Sequence, residues 1–298
     1  MDKSGRIISS NVSSKIASML IYLFIGLAAL TCVIPFIHIL AKSVSEEAYV
    51  IANKVFLWPK GFDLDAYRKV LGDASIIRSF FVSVVITVIF TVIGMLITLC
   101  AAYPLSRKNL IGRKGITMLC MITMYFSGGM IPEYLLVNSL GMLDTIWSLV
   151  LPLAFSAYNL LIMKTSLQTS IPESLLESAY LDGASEFCIL GRIIIPLSKP
   201  IIATLTLFYA VGRWNAYSDA LFYIKKNVDL RPLQLKLYNL VIASTESIQD
   251  TVEGAAQLTN PEVLKAASVI FATVPIICIY PFIQKYFVQG TMIGSVKE

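Results

Sequence analysis

Histidine is all but missing from this chain: among 298 residues there is one, His38. A Ser-His-acid centre, a Cys-His centre or a histidine-based metal site therefore has almost nothing to be built from. His38 lies near the end of an apolar run and reads as an interfacial or interhelical residue. Cysteine is scarce as well, with five, at positions 32, 100, 120, 188 and 278. The number is odd, no CxxC pair occurs and four of them sit inside apolar runs, which argues against a disulfide framework and against zinc. No catalytic residue and no metal ligand set is expected. The segment Gly112-Arg-Lys-Gly-Ile-Thr117 has glycines and a lysine but lacks the G-x4-G-K-[ST] spacing of a phosphate-binding loop. It reads as a basic turn. Charge is thin too: 14% of residues are charged, against about 25% in soluble domains. The net charge of +5 is scattered between apolar runs and gives no support for nucleic-acid binding. Nor is there a chain of intramembrane carboxylates suited to proton or sodium coupling, an inverted repeat or a low-complexity tract.

What the chain has in quantity is hydrophobic sequence, 56% of its residues, with a mean hydropathy of +0.74. Six apolar runs stand out, over 16–41, 77–105, 116–137, 144–163, 200–223 and 265–287. Each is long enough to cross ~30 Å of hydrocarbon. The expected fold is an all-α polytopic membrane protein with six transmembrane helices in one membrane domain, 16–287. Lys3, Arg6 and Lys15 before the first run imitate a signal peptide. That run is too long for an apolar core of roughly 7–15 residues, and no small-residue cleavage site follows, so it reads as an uncleaved span.

Arg107, Lys108, Arg113 and Lys114 occupy the short loop 106–115 with no acid among them. This is the strongest topological signal, and it places the loop in the cytoplasm. Alternation then puts the N-terminal segment 1–15 and the tail 288–298 inside, and the long loops 42–76 and 225–264 outside. The third run is interrupted by Ser127-Gly128-Gly129 and Pro132. Such a break is tolerated only where the backbone lines a cavity or is covered by protein.

Between the fourth and fifth runs lies a polar stretch with its own pattern. Ser170 followed by Glu173 forms a capping-box signature, with a helix expected over 171–182 and ended by Gly183 in the left-handed conformation. A second, shorter helix is expected to begin near Ser185 and stop before Pro196. Leu175, Leu176, Ala179 and Tyr180 share one face of the first helix, while Glu173 and Glu177 stand four apart on another. Like charges at that spacing cost roughly 0.2–0.5 kcal/mol. Two readings stay open: a solvated acidic face, or a docking helix whose carboxylates meet a cation in a partner's groove.

The fifth run is interrupted by Arg213, Trp214, Asn215, Tyr217 and Asp219. A charge at the centre of a membrane helix costs roughly 2.5–3.5 kcal/mol on insertion scales. Arg213 must therefore face other helices or a wet cavity. Pairing with Asp144, Glu133 or Asp219 is one reading, and a solute path is the other. Tyr125, Ser127, Gly128 and Gly129, in the broken third run, are weaker path candidates.

Glu177, Ala179 and Gly183, followed after nine residues by Ile193, Ile195 and Pro196, resemble the EAA loop of importer permeases that work with ATP-binding cassettes. The family pattern is Glu-Ala-Ala, three residues, Gly, nine residues, Ile-x-Leu-Pro. Here Ser178 replaces the first Ala and Ile195 the Leu, with the spacing kept. The segments 125–132, 207–217 and 280–297 look like carbohydrate-importing permeases of the maltose type, most of all the oligosaccharide and polysaccharide-fragment branch.

The resemblance implies a cytoplasmic helix-turn-helix coupling loop over 165–198. Glu173, Glu177, Ala179, Asp182, Gly183, Ile193 and Pro196 would meet the ATPase there, and Gly290, Gly294 and Ser295 in the tail would reach toward it. It also implies a bacterial cytoplasmic membrane, multi-pass, with both termini inside. The partners implied are a homologous second permease, two ATP-binding cassette subunits and an extracellular sugar-binding protein, with membrane lipid around and no nucleic acid. ATP and Mg would sit on the ATPase, leaving this chain without a cofactor and without enzymatic activity. Rings that stack on sugar faces beside amides and hydroxyls suit a carbohydrate. Trp214, Asn215, Tyr217, Arg213, Tyr125 and Ser127 are the residues proposed for its path. Two other readings are an importer of another solute and a secondary transporter driven by an ion gradient. A membrane-embedded enzyme is a poor third for want of histidine.

Overall fold

A computed structural model describes residues 12–250 and 261–293. In chain order the helices are α1 (Val12–Ser43), α2 (Glu47–Ile51), α3 (Asp65–Gly72), α4 (Ala74–Ser106) and α5 (Arg113–Tyr125). There follow α6 (Met130–Ser139), α7 (Ile146–Val150), α8 (Ala157–Ser170), α9 (Glu173–Leu181) and α10 (Glu186–Ile189). A π-helical turn (Leu190–Ile194) joins α10 to α11 (Ile195–Leu197), and after them come α12 (Lys199–Asn215), α13 (Ser218–Tyr223), α14 (Leu233–Asp250) and α15 (Pro261–Ile293). The one strand-like feature among the described residues is an isolated bridge between Ser45 and Phe62. The fold is all-α, as expected.

The chain packs as two units. One contains α1 to α3 and the start of α15, as far as Ile270. Its buried residues include Ala41, Val50, Val55, Ala66 and Val70. Ser43 Oγ lies 2.8 Å from the Tyr67 hydroxyl, and Lys42 Nζ pairs with Glu262 at 3.3 Å. His38 is half-buried, its Nδ1 2.6 Å from the Phe56 carbonyl oxygen. In α1 the most apolar window has none of its residues buried, so that surface is left for lipid or another chain.

The other unit runs from Asp73 to Ser247 and includes the rest of α15 from Phe271. Asp73 starts α4 by accepting the backbone N–H of Ser75 at 2.8 Å and of Ile76 at 3.3 Å. Along α4, Gly94 lets Tyr209 of α12 and the backbone before α8 come close. A Cβ there would stand 2.9 Å from the Tyr209 ring and 3.0 Å from the Ala154 carbonyl oxygen. One turn on, Thr98 Oγ1 meets the Tyr209 hydroxyl at 2.7 Å.

Membrane crossings come out differently from the six separate runs. By length and composition, Ser18–Ser43, Ala74–Ser106 and Glu262–Pro281 qualify as single helices, giving three spans, or up to five if each bent helix pair is counted as one. The expected third run is two helices, Arg113–Tyr125 and Met130–Ser139, bent by 111° at the glycine break. The fourth run, 144–163, is not one helix: α7 ends at Val150, and α8 begins only at Ala157 and continues to Ser170. Leu151 still has helical angles (φ −74°, ψ −43°), and the helix stops at Pro152, which has no N–H to donate to the helical ladder. Ser156 then caps α8, accepting from Asn159 N at 3.3 Å. The fifth run stops at Asn215 and resumes at Ser218, and its first helix is bent by 83° from Glu186–Leu197 across Ser198.

Candidate functional site

The hairpin begins where α8 ends. Ser170 is the last residue of α8 and does not cap α9, so the expected capping box is absent. The proline decides this. Pro172 occupies the N-cap position and holds Ile171 extended (φ −115°, ψ 110°), which makes Ile171 and Pro172 the whole link. The far end of α9 is as expected. Gly183 has φ +76°. Ala184 N donates to Ala179 O and Gly183 N to Tyr180 O, both at 3.0 Å, which is the full Schellman pair.

Ser185 caps the second helix, accepting from Cys188 N at 3.4 Å. That helix does not stop before Pro196 but runs to Leu197. Proline cannot donate to the helical ladder, and the π turn absorbs the mismatch by passing the Ile195 N–H to the Leu190 carbonyl.

Of the expected apolar face of α9, Leu176 and Ala179 are buried, whereas Leu175 and Tyr180 are 39% and 44% exposed. The buried pair joins Ile171, Ile189 and Ile194 in one cluster with Leu99, Ala102 and Leu105 of α4, Leu160, Met163 and Leu167 of α8, and Leu205 of α12. At the turn, Leu181 is 89% and Phe187 86% exposed. The hairpin is therefore keyed into the helices on one side and bare at its tip. Glu177 and Asp182 are exposed, Ile193 packs against the cluster and Pro196 is exposed.

Polar ties reinforce the apolar one. Lys108 Nζ donates to Glu173 at 2.5 Å. The Glu186 carboxylate accepts from the Tyr103 hydroxyl and, at 2.7 Å, from Tyr180. The Tyr103 hydroxyl, then that of Tyr180, holds the Glu186 carboxyl below its ordinary range. Arg107 lies over the Tyr103 ring, 4.5 Å from its centroid. Tyr103, Glu186, Leu181 and Phe187 were not singled out in the sequence. Glu186 and Tyr103 are 83 residues apart, and no local pattern links them.

The path candidates divide. Arg213 makes a two-pronged ion pair with Asp219, Nη2 to Oδ1 at 3.0 Å, and donates to the Leu149 carbonyl at 3.0 Å. Asp144 is engaged elsewhere: its Oδ1 accepts the backbone N–H groups of Lys225, Lys226 and Asn227 at 2.8, 2.7 and 3.1 Å. These bonds, Asn227 first, depress its carboxyl from the usual range. Trp214 is buried, with its indole N–H on the Ala272 carbonyl at 3.1 Å and the Phe80 ring set edge-on.

Asn215 and Tyr217 are exposed, and Tyr217 stacks on Tyr238 with centroids 4.7 Å apart. Tyr125 is 83% exposed, and Ser127 Oγ accepts from Gly129 N at 3.2 Å. In the tail, Gly290 falls within α15, while Gly294 and Ser295 lie outside the described residues.

A polytopic helical bundle with bent helix pairs and a solvent-tipped hairpin keyed into its core is the architecture of a membrane permease. Residues 99–293 match the family described as binding-protein-dependent transport system inner membrane component. The chain is 44% identical to the polygalacturonan/rhamnogalacturonan transport system permease protein YtcP of Bacillus subtilis (strain 168), over 96% of this chain and all of that relative. It is also 44% identical to protein LplC of the same organism, over 92% of each. Among solved structures, it resembles a chain of a bacterial ABC transporter involved in the import of the acidic polysaccharide alginate. There the TM-score is 0.82 at 30% identity, covering 93% of this chain and 98% of that one. The chain belongs to the family of binding-protein-dependent transport system inner membrane components, and it is a transport permease, not a catalytic enzyme.

Proposed function

We propose that this permease forms half of the translocation path of an ATP-driven importer of sugars, specifically oligosaccharides, and is driven through the 165–198 hairpin. The observation that carries the reading is the contrast along that hairpin. Leu181 and Phe187 stand bare at its tip, while Leu176, Ala179, Ile189 and Ile194 lock its base to α4, α8 and α12. A force applied at the tip is passed to the membrane helices, because close-packed interiors shift as units instead of absorbing strain.

In this reading six crossings form from α1, α4, the bent pair α5–α6, the interrupted pair α7–α8, α12 with α13, and α15. Residues 16–287 make one membrane domain. The N-terminus, the hairpin and the tail from 288 onward face the cytoplasm of a bacterial cell. The partners are a homologous permease, two ATPase subunits that carry ATP and Mg, and an external binding protein docking near 225–264. Closure of the ATPases pushes the hairpin and opens the central cavity outward. The glycan and alginate transport named for relatives supports a sugar cargo. Asn215 and Tyr217, with Tyr125 and Ser127 at the bent pair, are the side chains here that remain open to it. Arg213 and Trp214 shape the same region from within.

The test is reconstitution of the complete importer, with sugar uptake and ATP hydrolysis measured together. Gly183→Pro and Glu177→Arg should leave insertion intact and hydrolysis running while uptake falls. Uptake at the parental rate in either variant would remove the hairpin from the coupling route. Uptake that survived ATP depletion but collapsed with an uncoupler would point to an ion-driven carrier.

A further inference from the structure

The loop after α4 and the start of α9 enclose a cleft of about 480 Å³, whose charged lining residues are Arg107, Lys108, Arg113 and Glu173. Three cations therefore face one carboxylate, and that carboxylate is already bonded to Lys108. Arg107 Nε and Nη2 are buried and find no hydrogen-bond acceptor among the described residues. The guanidinium rests on the Tyr103 ring, 4.5 Å from its centroid, which leaves those two N–H donors free for an anionic acceptor, and a buried charged donor without one is costly. The N-terminus of α9 opens at the same place without a side-chain cap, adding the positive end of a helix dipole. Below the cationic rim lies an apolar floor of Leu167, Ile171, Leu176 and Ile194. The whole cleft adjoins the end of α4, one of the helices that qualifies as a membrane span.

We infer that this cleft binds the phosphate of an anionic phospholipid, Arg107 and Arg113 gripping the phosphate oxygens while the apolar floor takes the glycerol end. A free inorganic anion would use the rim and waste the floor. A phospholipid uses both, and basic clefts at the cytoplasmic ends of membrane helices are where such headgroups bind. The bound lipid would bridge the 107–113 loop to the first helix of the hairpin. Anionic lipid would then stiffen the element that the ATPase is proposed to drive. The lipid site itself does not depend on that coupling role.

Native mass spectrometry of the purified full chain, alone and in the assembled importer, tests this with phosphatidylglycerol as probe and phosphatidylcholine as control. The parent should retain phosphatidylglycerol in preference, and Arg107→Gln with Arg113→Gln should cut retention by about thirtyfold, as loss of two basic contacts near a membrane surface predicts. Lys54→Gln with Lys60→Gln, exposed and outside the cleft, should leave it unchanged. Glu173→Gln should raise retention by freeing Lys108, a gain that misfolding does not produce. Equal retention by the parent and the double arginine variant would overturn the proposal. So would displacement of the lipid by millimolar inorganic phosphate, which would mark a simple anion site. Retention by the free chain but not by the assembled importer would likewise overturn it, since the partner ATPase would then be filling the cleft.

Discussion

Arg213 and Asp219 face each other across the break between α12 and α13, guanidinium to carboxylate by two bonds, with side chains only 2% and 9% exposed. The pair closes the turn at Ala216 and Tyr217. It also ties α12 to the end of α7, through the Leu149 carbonyl. Removing one partner strands a buried charge, at a cost of roughly 3–5 kcal/mol, whereas replacing both with apolar groups is often neutral. Asp219→Asn should therefore lower the thermal midpoint in detergent sharply, and Arg213→Met with Asp219→Leu should recover most of it. A double variant as unstable as the single one would show that the charges themselves are required.

Gly94 sets how closely α4 approaches Tyr209. Because a Cβ there meets the ring at 2.9 Å, Gly94→Leu should force the helices apart and cost about 1–3 kcal/mol, as overpacking does. The readout is the thermal midpoint together with the fluorescence environment of Trp214. No change in either would mean that the contact is looser than it looks.

Gly183 holds the left-handed conformation that ends α9. Gly183→Ala should cost roughly 1–2 kcal/mol of local stability. It should show as faster hydrogen exchange in the last turn of α9, with exchange in α4 unaltered.

Acid should loosen the hairpin. The Glu186 carboxyl is depressed from its ordinary 4.5 by the Tyr103 hydroxyl first and that of Tyr180 second. A depressed acid contributes its stability fully above its unfolded pKa and loses it as pH falls through the folded one. Exchange over residues 173–189 should thus be flat with pH, once corrected for intrinsic rates, from neutrality to about 5. It should then rise below the ordinary glutamate value. Glu186→Gln should abolish that rise, and an unchanged profile in the variant would assign it to another carboxylate.

Trp214 and Tyr217 should separate in function. Trp214→Ala empties a packed site and should cost about 3–5 kcal/mol, seen as lost yield and a lower midpoint. Tyr217→Ala leaves the core alone and should weaken sugar uptake at normal stability. Parental uptake in Tyr217→Ala would take that ring off the path.

Much of this was legible in residues that act locally. The αL stop at Gly183, the Ser185 cap and the break at Ser127 to Gly129 follow from what glycine and serine do to the backbone next to them, and all three are present. Reading Ser170 and Glu173 as a capping box failed because Pro172, between them, claimed the N-cap position. The fourth apolar run reads as one helix because hydropathy averages over Pro152, whereas the backbone does not.

Composition and run length pointed to an all-α membrane protein, since apolar runs this long suit hydrocarbon and a span in lipid must pair its own backbone groups within a helix. Local patterning pointed to the hairpin, and its resemblance to a known loop motif pointed to the family. Which helices bend into pairs, which residue neutralises Arg213 and which side of the hairpin is locked in the core were decided only by tertiary structure. Each of those depends on groups distant in sequence meeting in space: Glu186 with Tyr103, Lys108 with Glu173, Trp214 with the Ala272 carbonyl. Local propensity carries no information about such meetings, because they are chosen by the packing of whole helices against one another.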